Sequence, residues 1–341
     1  MTSEIPRRRE LTVDEYYEGV RRCDITTLAR ALTLIESNNA NHQVQAEALL
    51  AKLLPHTGQA VRVGITGVPG VGKSTFIEAL GLQLVGDGKR VAVLAVDPSS
   101  GISGGSILGD KTRMTRLSVA PEAFIRPSPS AGTLGGVARK TRESILACEA
   151  AGFDVVIVET VGVGQSESMV AEMTDCFVAL MLPGAGDDLQ GIKRGLLELV
   201  DVVVINKADG RMLTAAQLAA RQYATALETL LGRSAQAPPV LTCSALRNEH
   251  ISDVWTAVDQ HCTRLRKSGE LAQRRSGQNI RWMWSIVDER VKQSVRLDPA
   301  VRAIRERLES DVQAGTIPPE SAAREILKAY SRAEKHRKES T

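Results

Sequence analysis

The spacing of apolar residues changes twice along the chain. Over residues 11–54 they recur at helical intervals, which predicts two helices, with Asp24 and Thr26 as candidate caps and Pro55 closing the second. From residue 61, short apolar runs alternate with helical stretches. Such runs are apolar on both faces, as in parallel strands covered by helices. They lie at residues 61–66, 91–96, 155–159, 177–182, 202–205 and 240–243.

Alternating strands and helices predict an α/β fold with a doubly wound, mainly parallel sheet. Beyond Ser244 the pattern is helical, and it divides into approximate helices at residues 249–275, 278–296, 298–313 and 318–337. The predicted breaks are Gly277, Pro299 and the Pro318-Pro319 pair. The predicted domains are an N-terminal helical extension at 1–57, an α/β domain at 58–250 and a C-terminal helical region at 251–341. This helical region needs a partner surface, and a second copy of the chain is a reasonable candidate.

Composition narrows the function classes. The chain has 341 residues, 43% of them hydrophobic, so a packed core is expected, and its net charge of +3 is too small to indicate nucleic-acid binding. The five cysteines and five histidines are scattered, which predicts no transition-metal site built by the protein. No apolar run approaches the ~20 residues that span a bilayer, so we expect a cytoplasmic protein without a membrane partner.

A glycine-rich motif follows the first predicted strand and opens a helix. It matches G-x-x-x-x-G-K-[ST] and consists of Gly67, Val68, Pro69, Gly70, Val71, Gly72, Lys73, Ser74 and Thr75. In such loops the backbone N–H groups surround phosphates and the helix N-terminus adds a favourable dipole. Lys73 is expected to reach the β- and γ-phosphates, and Ser74 to bind Mg²⁺. The alternative is a glycine-rich turn with an unrelated lysine.

A second motif reads the base. Asn206, Lys207 and Asp209 form N-K-x-D at the end of the strand predicted at 202–205. The Asp209 carboxylate would accept hydrogen bonds from guanine N1 and the exocyclic amine, a donor pair that adenine lacks. Ser244, Ala245 and Leu246 follow the last strand and fit a loop that supports the base, although this signal is weak by itself.

A third motif, Glu159-Thr-Val-Gly162, matches the D-x-x-G switch with Glu in place of Asp. Glu159 can hold Mg²⁺ through water, and the Gly162 N–H can reach the γ-phosphate. Val163 occupies the position of the water-orienting Gln in Ras-like GTPases. We therefore expect slow intrinsic hydrolysis. These motifs in this order predict a Mg²⁺-dependent P-loop GTPase that binds GTP and GDP.

Two further loops carry candidate residues. Asp97 follows the second strand, where it can orient water or bind Mg²⁺, with a helix cap or Asx-turn as the alternative. Asp110 lies in a glycine-rich stretch that suits a mobile switch. The loop after the strand predicted at 177–182 carries Asp187, Asp188, Gln190 and Lys193. From its chemistry alone, this loop is best interpreted as an ordinary strand-to-helix turn.

Longer segments resemble one family. D-P-S-S at 97–100, G-G-S-I-L-G-D-K-T-R-M at 104–114, E-T-V-G-V-G-Q-S-E at 159–167 and G-A-G-D-D-L-Q-G-I-K at 184–193 resemble MeaB proteins. These are the methylmalonyl-CoA mutase-associated GTPases, also labelled ArgK or LAO/AO transport ATPases, of the SIMIBI class of P-loop proteins. The similarity extends from about residue 20 to the C-terminus.

The resemblance implies a homodimer held by the C-terminal helical arm. It also implies a partner, an adenosylcobalamin-dependent acyl-CoA mutase, whose cofactor loading the GTPase gates and which it protects from inactivation; cobalamin enters only through that enzyme. Asp97, Asp110 and Glu159 would then surround Mg²⁺ and the γ-phosphate. Residues 182–193 would form a partner-sensing switch in which Lys193 is the most informative residue.

Three alternatives stay open from the sequence. One is an ATPase or kinase linked to basic amino-acid transport, which Asn206 and Asp209 disfavour because they indicate guanine. Another is a metal-insertion GTPase, although the chain lacks the His-rich tract or Cys cluster such proteins usually carry. The third is a nucleotide-dependent scaffold in which hydrolysis is incidental, a reading that Val163 keeps open.

Overall fold

A computed structural model describes residues 9–96, 114–127, 134–160, 166–184, 194–232 and 237–339. Within these ranges the chain forms two compact units, residues 1–278 and 279–341. The domain boundaries chosen from the sequence stay a prediction. No helix in the described ranges is long and apolar enough to cross a membrane.

Seven strands form one sheet in the first unit, and every pairing is parallel. The strand order is β3-β2-β4-β1-β5-β6-β7. The strands are β1 (Val61–Gly67), β2 (Val91–Val96), β3 (Ala123–Arg126), β4 (Val155–Thr160), β5 (Cys176–Met181), β6 (Val202–Ile205) and β7 (Val240–Thr242). The predicted α/β class with a parallel sheet is therefore confirmed.

Helices precede, connect and follow the strands. In the first unit they are α1 (Val13–Arg21), α2 (Ile25–Glu36), α3 (Ala40–Leu53), α4 (Lys73–Gly86), α5 (Leu134–Ala150), α6 (Ser166–Ala171), α7 (Arg194–Leu197), α8 (Leu213–Leu231) and α9 (Ile251–Ser268). The chain continues through α10 (Glu270–Leu297), α11 (Pro299–Gln313) and α12 (Pro319–Glu339). Helix α10 ends the first unit and begins the second.

Strand side chains alternate between two apolar layers. One layer joins strand residues such as Val156 and Val158 to the N-terminal helices, α5 and α8. The other joins Ile157 and its neighbours to α4 and α9. Both faces of the sheet are covered, so the doubly wound arrangement explains why the strands are apolar throughout.

Three local predictions were incomplete or wrong. Strand β3 was missed, because its four residues lie at the sheet edge and only Phe124 and Ile125 are buried. Two N-terminal helices were predicted, whereas the structure forms three; of the two candidate caps, Asp24 caps α2 by accepting from the Thr26 N–H. The predicted break at Gly277 was wrong. Helix α9 ends instead at Gly269, whose φ of 79° is the left-handed conformation that terminates helices.

The second unit is held together by its own contacts. Val301 and Leu308 of α11 are buried, as is Ala322 of α12. The Arg307 guanidinium lies 3.2 Å from the Glu325 carboxylate, which joins the same two helices.

Candidate nucleotide-binding site

The loop after β1 adopts a conformation that requires glycine. Gly67 and Gly72 have φ angles of 154° and 95°. A Cβ on Gly67 would lie 2.5 Å from the carbonyl oxygen of Leu180, and one on Gly72 would lie 2.8 Å from Nδ2 of Asn206. Helix α4 begins at Lys73, directly after Gly72. The loop therefore leads into a helix N-terminus, the arrangement that binds phosphate groups.

Lys73 and Ser74 extend from the start of α4 towards the loop and β4. The Lys73 ammonium donates to the carbonyl oxygen of Gly67 over 2.7 Å. The Ser74 hydroxyl donates to Oε1 of Glu159 over 3.4 Å. Glu159 is only 4% exposed, and it pairs with Ile65 in the register of β4 and β1. A hydroxyl beside a carboxylate is an oxygen donor set that fits Mg²⁺.

Asn206 connects the phosphate loop to the loop after β7. Its Nδ2 donates to the Val71 carbonyl oxygen over 2.8 Å, and its Oδ1 accepts from the Ala245 N–H over 3.0 Å. The Cys243 thiol also lies 3.5 Å from this oxygen as a donor. Burial raises the pKa of Cys243 to about 12, so the thiol keeps its proton at neutral pH.

The other two residues of the base motif, Lys207 and Asp209, make hydrogen bonds of their own. Lys207 has a φ of 61°, and its ammonium donates to the Gly70 carbonyl oxygen over 2.7 Å. The hydroxyl of Ser244 donates to Oδ2 of Asp209. Leu246 is 83% exposed, so its side chain is accessible to a planar base. The structure therefore brings the predicted phosphate and base residues together at the carboxyl edge of the sheet.

A series of hydrogen bonds between buried side chains, next to the start of the phosphate loop, was not predicted. Thr160 donates to the Thr66 hydroxyl over 3.0 Å, and Thr66 donates to Glu167 over 3.5 Å. Glu159 and Thr160 are consecutive on β4 and therefore face opposite sides of the sheet. The sequence signal for these hydrogen bonds was a threonine at the end of each of two apolar strands.

Arg247 was also missed. Its Nε lies 4.0 Å from Oδ1 of Asp209, and its backbone N–H donates to the Ser244 hydroxyl over 3.3 Å. Arg247 directly follows the segment Ser244-Ala245-Leu246. Its position next to this predicted base-supporting loop is the sequence signal that could have indicated it.

Seven predicted site residues lie outside the described ranges. They are Asp97, Asp110, Gly162, Asp187, Asp188, Gln190 and Lys193. Their roles, like those of the other site residues, stay predictions.

A phosphate loop and an Asn-Lys-x-Asp motif at the same edge of a parallel sheet define a P-loop GTPase. The chain belongs to the family described as methylmalonyl Co-A mutase-associated GTPase MeaB, whose profile matches residues 28–300. It is 54% identical over 321 residues to a putative GTPase of Caulobacter vibrioides, covering 94% of this chain and 98% of the relative. It is 43% identical over 340 residues to the mouse mitochondrial methylmalonic aciduria type A homolog, covering 96% and 82%.

A solved structure shows the same fold. The crystal structure of a LAO/AO transport system kinase superposes with a TM-score of 0.74 at 40% identity, covering 94% of this chain and 98% of that one.

Proposed function

We propose that this GTPase is a nucleotide-controlled chaperone of an adenosylcobalamin-dependent methylmalonyl-CoA mutase, gating cofactor loading and protecting the mutase from inactivation. The observation that carries the proposal is membership of a family described by its association with that mutase. The name of the mouse relative, which refers to methylmalonic aciduria, supports it.

The site supports a division of roles. Lys73 would neutralise charge on the β- and γ-phosphates, and Asp209 would read guanine while the loop of Ser244, Ala245 and Leu246 supports the base. Ser74 and Glu159 would hold Mg²⁺ together with Asp97 and Asp110, and bound Mg²⁺ supplies positive charge next to the phosphate oxygens. Gly162 would donate its N–H to the γ-phosphate.

GTP with Mg²⁺ would order segments 97–114 and 159–170, and the mutase would bind this ordered state until hydrolysis releases it. The hydrogen bond between Ser74 and Glu159 supports this proposal, because it places the start of the second segment against the phosphate loop. Residues 182–193 would sense the partner, with Lys193 the central residue. Val163 in place of a water-orienting Gln would make intrinsic hydrolysis slow, so that a partner or another residue would have to accelerate it.

The proposed homodimer would form through the second unit. One face of α10 exposes apolar side chains at helical spacing: Ile280, Met283, Trp284, Val287 and Val291. Exposed fractions between 40% and 58% are unusual for a run of large apolar residues on a single helix. A second copy of the chain, presenting the same face, would bury them.

The decisive experiment measures Mg²⁺-dependent hydrolysis of GTP and ATP with and without purified methylmalonyl-CoA mutase. Slow, GTP-selective turnover that rises sharply with the mutase supports the proposal. GTP-selective turnover that is indifferent to the mutase removes the proposed partner, and a preference for ATP contradicts the role of Asp209.

A second candidate is a kinase linked to basic amino-acid transport, because the similar solved structure is titled a transport system kinase. The GTPase chaperone and the kinase differ in the molecule that accepts the phosphate group. Release of inorganic phosphate in proportion to the GTP consumed favours the GTPase chaperone, whereas phosphate retained on a protein or amino acid favours the kinase.

A further inference from the structure

Three potential metal ligands meet at the amino edge of the sheet, opposite the nucleotide site. Cys176 is the first residue of β5, Asp201 directly precedes β6, and His261 lies on α9. One ligand atom from each residue, sulfur, carboxylate oxygen and ring nitrogen, lies within 4.8 Å of the other two. The separations of 25 and 60 residues along the chain form no recognisable metal motif.

One distance within this Cys-Asp-His cluster matches metal coordination. Nε2 of His261 lies 3.4 Å from Oδ1 of Asp201. Two ligands about 2.0–2.1 Å from a tetrahedral centre are separated by about 3.3–3.4 Å. The Cys176 sulfur lies within 4.8 Å of both other ligand atoms, whereas ligands about 2.3 and 2.0–2.1 Å from a tetrahedral centre are separated by about 3.6 Å, so the sulfur has to lie closer once an ion is bound.

The Cys-Asp-His cluster is mostly buried but keeps a small solvent-exposed area. Cys176 is fully buried, while the side chains of Asp201 and His261 keep 16% and 14% exposure. Nε2 of His261 is buried and makes no hydrogen bond within the part of the chain that the structure describes. A neutral imidazole nitrogen is a metal ligand, and the small remaining exposure admits water as a fourth ligand.

Neighbouring groups orient the carboxylate. Oδ2 of Asp201 accepts from the Phe177 N–H over 2.9 Å and from Nη2 of Arg274 over 3.0 Å. Nη1 of Arg274 lies 3.3 Å from Oδ1, the oxygen that faces His261. Such outer contacts fix the orientation of a ligating carboxylate. The arginine charge opposes cation binding, whereas a thiolate and a carboxylate together offset a divalent charge.

We propose that Cys176, Asp201 and His261 bind one zinc-like divalent cation, with water completing a tetrahedral site. The mixture of sulfur, nitrogen and oxygen ligands selects Zn²⁺, Co²⁺ or Cd²⁺ over Mg²⁺ and Ca²⁺. Bound metal links α9 to the amino ends of β5 and β6 and stabilises the first unit. Binding releases the proton of the Cys176 thiol, because the thiolate is the ligand.

The test uses the full-length protein, freed of metal by chelation and then saturated with Mg²⁺ and GDP to occupy the nucleotide site. Titration with Co²⁺ is followed by the thiolate-to-cobalt charge-transfer band, which an oxygen-only nucleotide site cannot produce. We expect about one equivalent to bind, Zn²⁺ to abolish the band, and thermal stability to rise with metal. Absence of the band in the wild-type protein overturns the proposal.

Three variants identify the ligands. Cys176→Ser should abolish the band, and His261→Gln should lower Co²⁺ affinity at least about tenfold. Cys262→Ser is the matched control, since Cys262 is a buried neighbour of His261 outside the cluster, and it should keep the band. GDP binding checks that each variant folds. A band that survives Cys176→Ser and disappears in Cys262→Ser overturns the assignment.

If a variant does not fold, X-ray absorption of the zinc-bound wild-type protein still identifies the ligand atoms. The expected shell is one sulfur near about 2.3 Å with nitrogen and oxygen near about 2.0–2.1 Å. A shell without sulfur, or with two or more sulfurs, contradicts the proposed site.

Discussion

Nδ2 of Asn206 donates a 2.8 Å hydrogen bond to the carbonyl oxygen of Val71, so the base motif is tied directly to the phosphate loop. The same side chain accepts from the Ala245 N–H. The amide supplies both the donor and the acceptor, whereas an aspartate carboxylate would have no hydrogen to donate. One residue thereby links the two loops that carry the predicted phosphate and base residues.

The close approach of Gly72 to Asn206 gives the first prediction. Gly72→Ala forces an L side chain into a φ of 95° and places its Cβ 2.8 Å from Nδ2. We expect a loss of about 1–2 kcal/mol in the free energy of unfolding and at least about tenfold weaker GDP binding, as the anion-binding loop is displaced. Denaturant unfolding and calorimetric GDP titration measure the two effects.

Gly86→Ala is the control, because Gly86 lies at the other end of α4 and a Cβ there meets no atom within 4 Å. It should leave GDP affinity unchanged. Equal losses in both variants would contradict the steric explanation.

Lys73→Ala tests the phosphate site. Removing the ammonium takes away positive charge that would stabilise the charge developing on the phosphates, so GTP turnover should fall by about 10²-fold or more. Single-turnover hydrolysis measures it. Lys52→Ala, which removes a surface lysine paired with Asp14, should retain wild-type turnover. Intact turnover in Lys73→Ala would refute the site.

Asp209→Asn tests base recognition. Loss of the carboxylate should reduce GTP affinity by about 1.5–3 kcal/mol, roughly 10- to 10²-fold, because hydrogen bonds to a charged acceptor are lost. Xanthosine triphosphate should bind the variant better than GTP, since xanthine carries a carbonyl oxygen that the new amide can donate to. Asp253→Asn on α9 is the control. An unchanged preference for GTP over ATP and xanthosine triphosphate would count against Asp209.

Lys193→Ala tests the proposed partner sensor. Basal GTP turnover should stay within about twofold of wild type, while stimulation by the mutase should fall at least about tenfold, a size typical of lost allosteric coupling. Turnover is measured against mutase concentration, with Lys193→Arg as the charge-preserving comparison. Loss of basal and stimulated turnover together would indicate a general catalytic role instead.

Val287→Glu tests the proposed homodimer. A carboxylate in the exposed apolar face of α10 should convert a dimer into a monomer in sedimentation experiments, because burying an unpaired charge is costly. Lys292→Glu, at an exposed position about 140° further round the same helix than Val287, should remain dimeric. A wild-type protein that sediments as a monomer would remove this part of the proposal.

Much of the nucleotide site could be predicted from local patterns. Strands at 91–96 and 202–205 were predicted residue for residue, because a short continuous apolar run rich in valine is a signal that needs no tertiary context. The glycine-rich loop and the Asn-Lys-x-Asp motif were equally readable, since each needs particular residue types at fixed spacing. The edge strand β3 could not be predicted from its sequence, because only its two central residues are buried.

Other features depended on tertiary structure alone. Gly269 and Gly277 both follow a serine, and only the backbone conformation shows which of them ends a helix: Gly269 is left-handed, whereas α10 continues through Gly277. The hydrogen bonds that join Thr160, Thr66 and Glu167 also connect residues of separate elements.

The sequence by itself determined the fold class, the order of the motifs and the choice of guanine, because these follow from short segments whose chemistry is local. Only the tertiary structure decided that Asn206 spans two loops and that Cys176, Asp201 and His261 meet. Such contacts depend on strand register and helix packing, which bring together residues far apart in the chain.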